Sequence, residues 1–115
     1  MSSFIVNVTF DCHDPKRLSD FWAGVTGYAR IELTDDFARL HAPDSRGVRQ
    51  ILFFKVPEPK STKNRVHVDL ASKTPEQEIE RLKQLGAAEV YRMGELTKLG
   101  WVTMSDPEGN EFCIG

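Results

Sequence analysis

The chain has 115 residues, of which 40% are hydrophobic and 28% charged, with a formal net charge of −2. That length supports one domain with a real core and leaves little room for two independent ones. The near-neutral balance gives no electrostatic basis for a nucleic-acid or anionic-membrane partner, and no apolar run approaches the roughly 20 residues of a membrane helix.

Residues 4–12 alternate, with Phe4, Val6, Val8 and Phe10 on one face and Ile5, Asn7, Thr9 and Asp11 on the other, which predicts a half-buried strand. The N-terminus reads as this strand and not as an export signal, so the cytoplasm is the expected location. Cys12 and Cys113 lack metal-type spacing and are expected as two free thiols. Asp14-Pro15 supplies an N-cap and a first-turn proline. Leu18, Phe21, Trp22 and Val25 then recur at helical spacing, with Gly27 closing the helix. Strands are predicted at about 28–34, 37–42 and 49–56, with turns at Asp35-Asp36 and at 43–47.

The polar, proline-bearing stretch 57–64 reads as a linker, after which the order begins again. Residues 65–71 alternate, with Val66, Val68 and Leu70 opposite His67 and Asp69. Thr74-Pro75 repeats the helix start, Ile79, Leu82 and Leu85 form a stripe, and Gly86 ends it. Strands are predicted at about 87–92, 100–105 and 110–114, with Asp106-Pro107-Glu108-Gly109 as a turn. Asn7 and His67 are equivalent at an offset of 60 residues, Gly27 and Gly86 at 59. This internal period predicts an α+β fold of two paired βαβββ modules: module one at 1–56, the linker at 57–64 and module two at 65–115, all within one domain. Neither module hides its own sheet face, so the two are expected to pair into a mixed sheet with a concave trough and helices on the outer face.

Three segments, D-P-K-R-L-S-D-F-W (14–22), V-P-E-P-K-S-T-K-N-R-V-H-V-D-L (56–70) and D-P-E-G-N-E-F-C-I (106–114), resemble the glyoxalase-like domains of the vicinal oxygen chelate superfamily, which also holds bleomycin resistance proteins and extradiol dioxygenases. The resemblance covers essentially the whole chain. It implies a small-molecule site, either metal-dependent or metal-free, and commonly a homodimer. Fold likeness narrows shape far more than chemistry.

Strand parity nominates the lining of the trough. The first strand offers Asn7, Thr9 and Asp11, the fifth His67 and Asp69, and the last Glu111 and Cys113, because Phe112 and Ile114 face the core. Trp101 is a further ligand-binding candidate, while Phe53, Phe54 and Tyr91 fall on strands whose sides sequence does not fix. Trp22 and Phe21 belong to the helix stripe and the core. The resemblance implies metal ligands at Asn7, in the fourth strand, at His67 and at Cys113. Of these only His67 is a usual ligand, the stretch 50–56 holds no carboxylate or histidine, and Cys113 stands where a glutamate is usual. Such a set suits a hard divalent cation badly, so no metal or other cofactor is favoured. The leading expectation is a metal-free site for a small organic molecule, with His67 and Asp69 as the acid–base candidates. The alternatives are a metal-dependent lyase or isomerase, and a non-enzymatic assembly or regulatory module whose trough is filled by its own side chains.

Overall fold

Strand, helix and three strands follow one another twice along the chain in a computed structural model that describes residues 2–45, 47–96, 98 and 100–115. The elements are β1 (Asn7–Cys12), α1 (Pro15–Thr26), β2 (Ala29–Leu33), β3 (Phe37–His41), β4 (Gln50–Lys55), β5 (Asp69–Leu70), α2 (Pro75–Leu85), β6 (Ala88–Met93), β7 (Trp101–Ser105) and β8 (Glu111–Ile114). Arg46, within the predicted turn at 43–47, lies outside the described residues. The chain divides into two compact units, Met1–Pro59 and Lys60–Gly115. Each unit has its own four-stranded mixed sheet, ordered β1-β4-β3-β2 in the first and β5-β8-β7-β6 in the second. No helix of the described residues is long and apolar enough to cross a membrane.

In the first unit, β1 runs parallel to β4, which a strand can do only after a crossover, here α1 with β2 and β3. The Asp14 carboxylate accepts a hydrogen bond from the Arg17 amide at 3.1 Å, and Pro15 opens the helix, as the sequence predicts. Gly27 ends it at φ 77°, a left-handed conformation that glycine adopts without steric penalty, and donates its amide to the Ala23 carbonyl at 2.8 Å. The stripe of α1 closes over the sheet. The Trp22 ring lies 5.3 Å from Phe10, which in turn stacks on Phe53 at 5.5 Å. Leu18, Ala38 and Leu40 are buried with them.

The second unit repeats this topology with different cement. Ile79 and Leu82 on α2 are buried, as are Val102, Met104, Phe112 and Ile114. Arg92 on β6 pairs with Glu76 on α2, and Lys83 on α2 approaches Glu89 on β6 at 3.6 Å. Thr74 precedes α2 as predicted but its side chain makes no capping hydrogen bond; its own amide instead donates to the Ser72 hydroxyl at 3.0 Å.

Two predicted strands are shorter than their alternation suggests. The first begins at Asn7, not Phe4, because its partner β4 begins at Gln50; Phe4 is 81% exposed. The fifth is only Asp69–Leu70, so His67 sits in irregular chain ahead of it, and Val66, expected on the core face, is 81% exposed. The cause is Asn64. Its side-chain oxygen accepts from the Glu111 amide at 3.3 Å, and its side-chain amide donates to the Val66 carbonyl at 3.1 Å. Those are bonds that a longer ladder would have made.

Each sheet carries a bulge at the same place. Between β2 and β3 the register shifts across Arg30 and Glu32, and between β6 and β7 across Glu89 and Tyr91. The extra residues are Ile31 and Val90, 59 positions apart like the two helix-ending glycines.

Trp22 is 2% exposed and bonded by ring contacts to Phe10 and Phe21. Replacing it with alanine is expected to cost about 3–5 kcal/mol in urea unfolding; a loss well under 1 kcal/mol would show that this cluster does not hold α1 in place.

Candidate functional site

The register of the second sheet assembles one row of side chains across four strands. Tyr91 on β6 pairs with Thr103 on β7, Thr103 with Cys113 on β8, and Cys113 with Asp69 on β5. Successive strand residues alternate faces, so this row lies opposite the buried Val102, Met104, Phe112 and Ile114. It floors a cavity of about 560 Å³ lined also by Lys63, His67, Trp101 and Glu111. That volume lies in the range of small-molecule sites, roughly 300–1,000 Å³.

Five of the sequence candidates, His67, Asp69, Trp101, Glu111 and Cys113, therefore line one cavity. Asn7, Thr9 and Asp11 stand exposed on β1 of the first unit. There the corresponding row is Thr9, Leu52, Arg39 and Glu32, with Arg39 bound to Glu32 at 2.8 Å. The counterpart of Cys113 is thus Leu52, which carries no donor atom.

Among the lining residues not nominated from sequence as ligand contacts are Thr103, Tyr91 and Lys63. Tyr91 reaches the cavity face because the extra residue Val90 shifts the alternation of β6; a strand read without its bulge puts position 90 opposite Thr103. Lys63 falls in the predicted linker, where nothing in the sequence ties it to Glu111.

The polar groups are mutually engaged. His67 Nε2 lies 3.2 Å from Asp69 Oδ1. Thr103 Oγ1 and Cys113 Sγ are 3.4 Å apart. The Lys63 ammonium donates to the Glu111 carboxylate, which holds the Glu111 carboxyl below the usual carboxylate range and raises the Lys63 ammonium above the usual lysine value. Neither cysteine is in a disulfide: Cys12 is buried with its thiol 3.6 Å from the Phe54 carbonyl, and Cys113 is half-buried in the cavity.

One imidazole, one carboxylate and one thiol stand close enough to be considered as metal donors: the atoms of His67, Asp69 and Cys113 lie within 4.8 Å of one another. A hard divalent cation takes oxygen and imidazole donors, often six, and a trio that includes a thiol does not fit it. Zinc tolerates such a trio better. However, His67 and Asp69 are exposed, and the imidazole Nε2 is already directed at the carboxylate.

A family model described as glyoxalase-like domain matches residues 7–115. Among solved structures, the chain is similar to a glyoxalase/bleomycin resistance protein/dioxygenase family enzyme from Burkholderia phytofirmans, at 21% identity and a TM-score of 0.74, covering 97% of each chain. It is also similar to a mutant of the fosfomycin resistance protein FosX from Listeria monocytogenes complexed with Mn(II) and a dihydroxypropylphosphonic acid. The identity there is 14% and the TM-score 0.78, covering 99% of this chain and 90% of that one. A glyoxalase-related enzyme from Fulvimarina pelagi aligns at 12% identity and a TM-score of 0.73, over 98% and 87% of the two chains. At these identities the likeness is one of fold. No curated protein is a significant match in sequence.

The Lys63–Glu111 pair sets a pH dependence. Because the folded Glu111 carboxyl is lowered, its contribution is complete above the ordinary carboxylate range and is lost as pH falls through the lowered value. Glu111→Gln is therefore expected to reduce stability at neutral pH and to match the native chain in acid, as read by thermal unfolding. A gap that persisted unchanged in acid would show that the carboxylate charge is not what matters there.

Proposed function

We propose that this chain, which belongs to the glyoxalase-like domain family, binds a small organic molecule in its second-unit cavity without a hard divalent metal. The observation that carries this reading is the composition of the cavity walls. Tyr91 and Trp101 offer flat apolar surface, while His67, Asp69, Glu111 and Cys113 offer convergent polar groups. A cavity of about 560 Å³ also favours binding over a module whose site is filled by its own side chains.

Within that site, the His67–Asp69 pair is the acid–base element. A carboxylate at 3.2 Å orients the imidazole in the cavity. Cys113 and Thr103 form the floor on which a bound molecule would rest, and Trp101 is the wall. For the alternative, a metal-dependent lyase or isomerase, the donors grouped together among the described residues are His67, Asp69 and Cys113, and the thiol and the His67–Asp69 contact speak against a manganese-type ion there.

Two measurements test the reading. Metal analysis by mass spectrometry, on protein purified without chelator or affinity tag, is expected to find no stoichiometric metal in the native chain or in His67→Ala. Near-stoichiometric metal that disappears in the variant would overturn the metal-free site. For a ligand found by thermal shift, Trp101→Ala is expected to weaken binding about tenfold or more, in line with loss of an aromatic contact of about 1–2 kcal/mol, while the unfolding temperature stays close to native. Unchanged affinity would remove Trp101 from the site.

A further inference from the structure

Cys113 is the group in the cavity whose chemistry the binding reading leaves unused. It is half-buried on β8, with its sulfur 3.4 Å from the Thr103 hydroxyl and within 4.8 Å of the donor atoms of His67 and Asp69. These are the parts of an activated nucleophile: a thiol, a nearby base and a third group that orients the base. His67 Nε2 lies 3.2 Å from Asp69 Oδ1, a contact that orients the imidazole beside the thiol. The Thr103 hydroxyl can turn its hydrogen toward the sulfur once the proton has left. No spacing in the sequence points to this trio, because Cys113 is brought to Asp69 only by the parallel register of β8 with β5.

We propose that Cys113 is a nucleophilic thiol served by His67, and that the cavity captures α,β-unsaturated carbonyl compounds by reversible covalent addition. The inference rests on the metal-free reading of the same cavity, since a metal-bound sulfur would not be available. The class of electrophile follows from the walls and the nucleophile. Sulfur prefers a soft carbon centre, and Tyr91 and Trp101 present flat surfaces to a planar conjugated molecule. The step balances without a co-reactant. The thiol proton passes to the His67 imidazole, and the sulfur electron pair forms a bond to the β-carbon of the double bond. The π pair moves toward the carbonyl as an enolate, and the imidazolium returns the proton to the α-carbon. The sum is addition of S–H across C=C, and the reverse sequence releases the compound.

The test uses the full chain and cinnamaldehyde as the probe, read by intact-protein and peptide mass spectrometry. One adduct is expected, on Cys113. Cys12, buried with its thiol near the Phe54 carbonyl, serves as the internal reference and is expected to stay unmodified. Cys113→Ser is expected to form no adduct. His67→Ala and His67→Asn are each expected to slow adduct formation at least about tenfold, a threshold set below the roughly 10²–10⁴-fold that a positioned proton acceptor contributes. Both substitutions fall at an exposed position, so loss of folding is not expected, and circular dichroism checks it. Adduct formation on Cys113 at the same rate in native chain and His67 variants, or at the rate of free glutathione, would overturn the proposal. So would a rate that rises only after chelator treatment, which would assign the sulfur to a metal. Binding of the saturated analogue 3-phenylpropanol by calorimetry separates the two readings. Binding of the analogue with no adduct from cinnamaldehyde would sink the nucleophile and leave the cavity reading standing. An adduct without any analogue binding would support the thiol and count against the aromatic walls.

Discussion

The candidate site depends on one buried carboxylate at the tip of a hairpin. Asp106 Oδ1 accepts from the amides of Glu108 and Asn110, each at 2.9 Å, and both its oxygens accept from the Asn110 side-chain amide. Its own backbone closes the same turn, with the Asp106 amide 2.8 Å from the Asn110 carbonyl and the Gly109 amide 2.9 Å from the Asp106 carbonyl. Such a turn admits one register between β7 and β8. A slip of one residue would send Cys113 and Glu111 into the core and bring Phe112 and Ile114 out to the cavity, since side chains alternate along a strand. The D-P-E-G-N segment is therefore a device for aiming β8, and the cavity chemistry is downstream of it.

The two units share a backbone plan and differ in what they hang on it. Across equivalent rows the first unit places Thr9, Leu52, Arg39 and Glu32, and the second places Asp69, Cys113, Thr103 and Tyr91. In the first, the charged pair Arg39–Glu32 satisfies itself. In the second, the groups are reactive types joined by the His67–Asp69 and Thr103–Cys113 contacts, with the Lys63–Glu111 pair beside them. The same helix–sheet tie also appears with reversed polarity. Arg30 on β2 reaches Asp20 on α1, and Glu89 on β6, at the matching position, approaches Lys83 on α2.

Much of this was legible in the sequence, for physical reasons that can be named. Alternation and helical spacing report burial directly, so the order of elements, the Asp14 cap and the Gly27 stop could be read before any coordinate. The parity of β8 could be read too, because Phe112 and Ile114 are unambiguous core residues. The failures share a different cause: they turn on partners distant along the chain. The short β5 follows from Asn64 bonding to Glu111 across 47 positions, and the late start of β1 follows from where β4 begins. Neither leaves a trace in local composition. The trio of His67, Asp69 and Cys113 was visible as three candidates for one lining, since parity reports facing, but their closeness to one another belongs to sheet register.

Val90 gives the wall of the cavity an unusual kind of adjustability. The residue itself is an exposed edge-strand side chain, yet its presence decides that Tyr91 and not its neighbour stands opposite Thr103. The identity of the wall is thus encoded by chain length at a point where insertion or deletion disturbs no buried contact. Relatives with one residue fewer here would present a different side chain to a ligand even if every other position were the same. Column-by-column comparison of such sequences would then match residues of opposite facing, and ligand preference could drift between homologues by gaps in an alignment more readily than by substitutions.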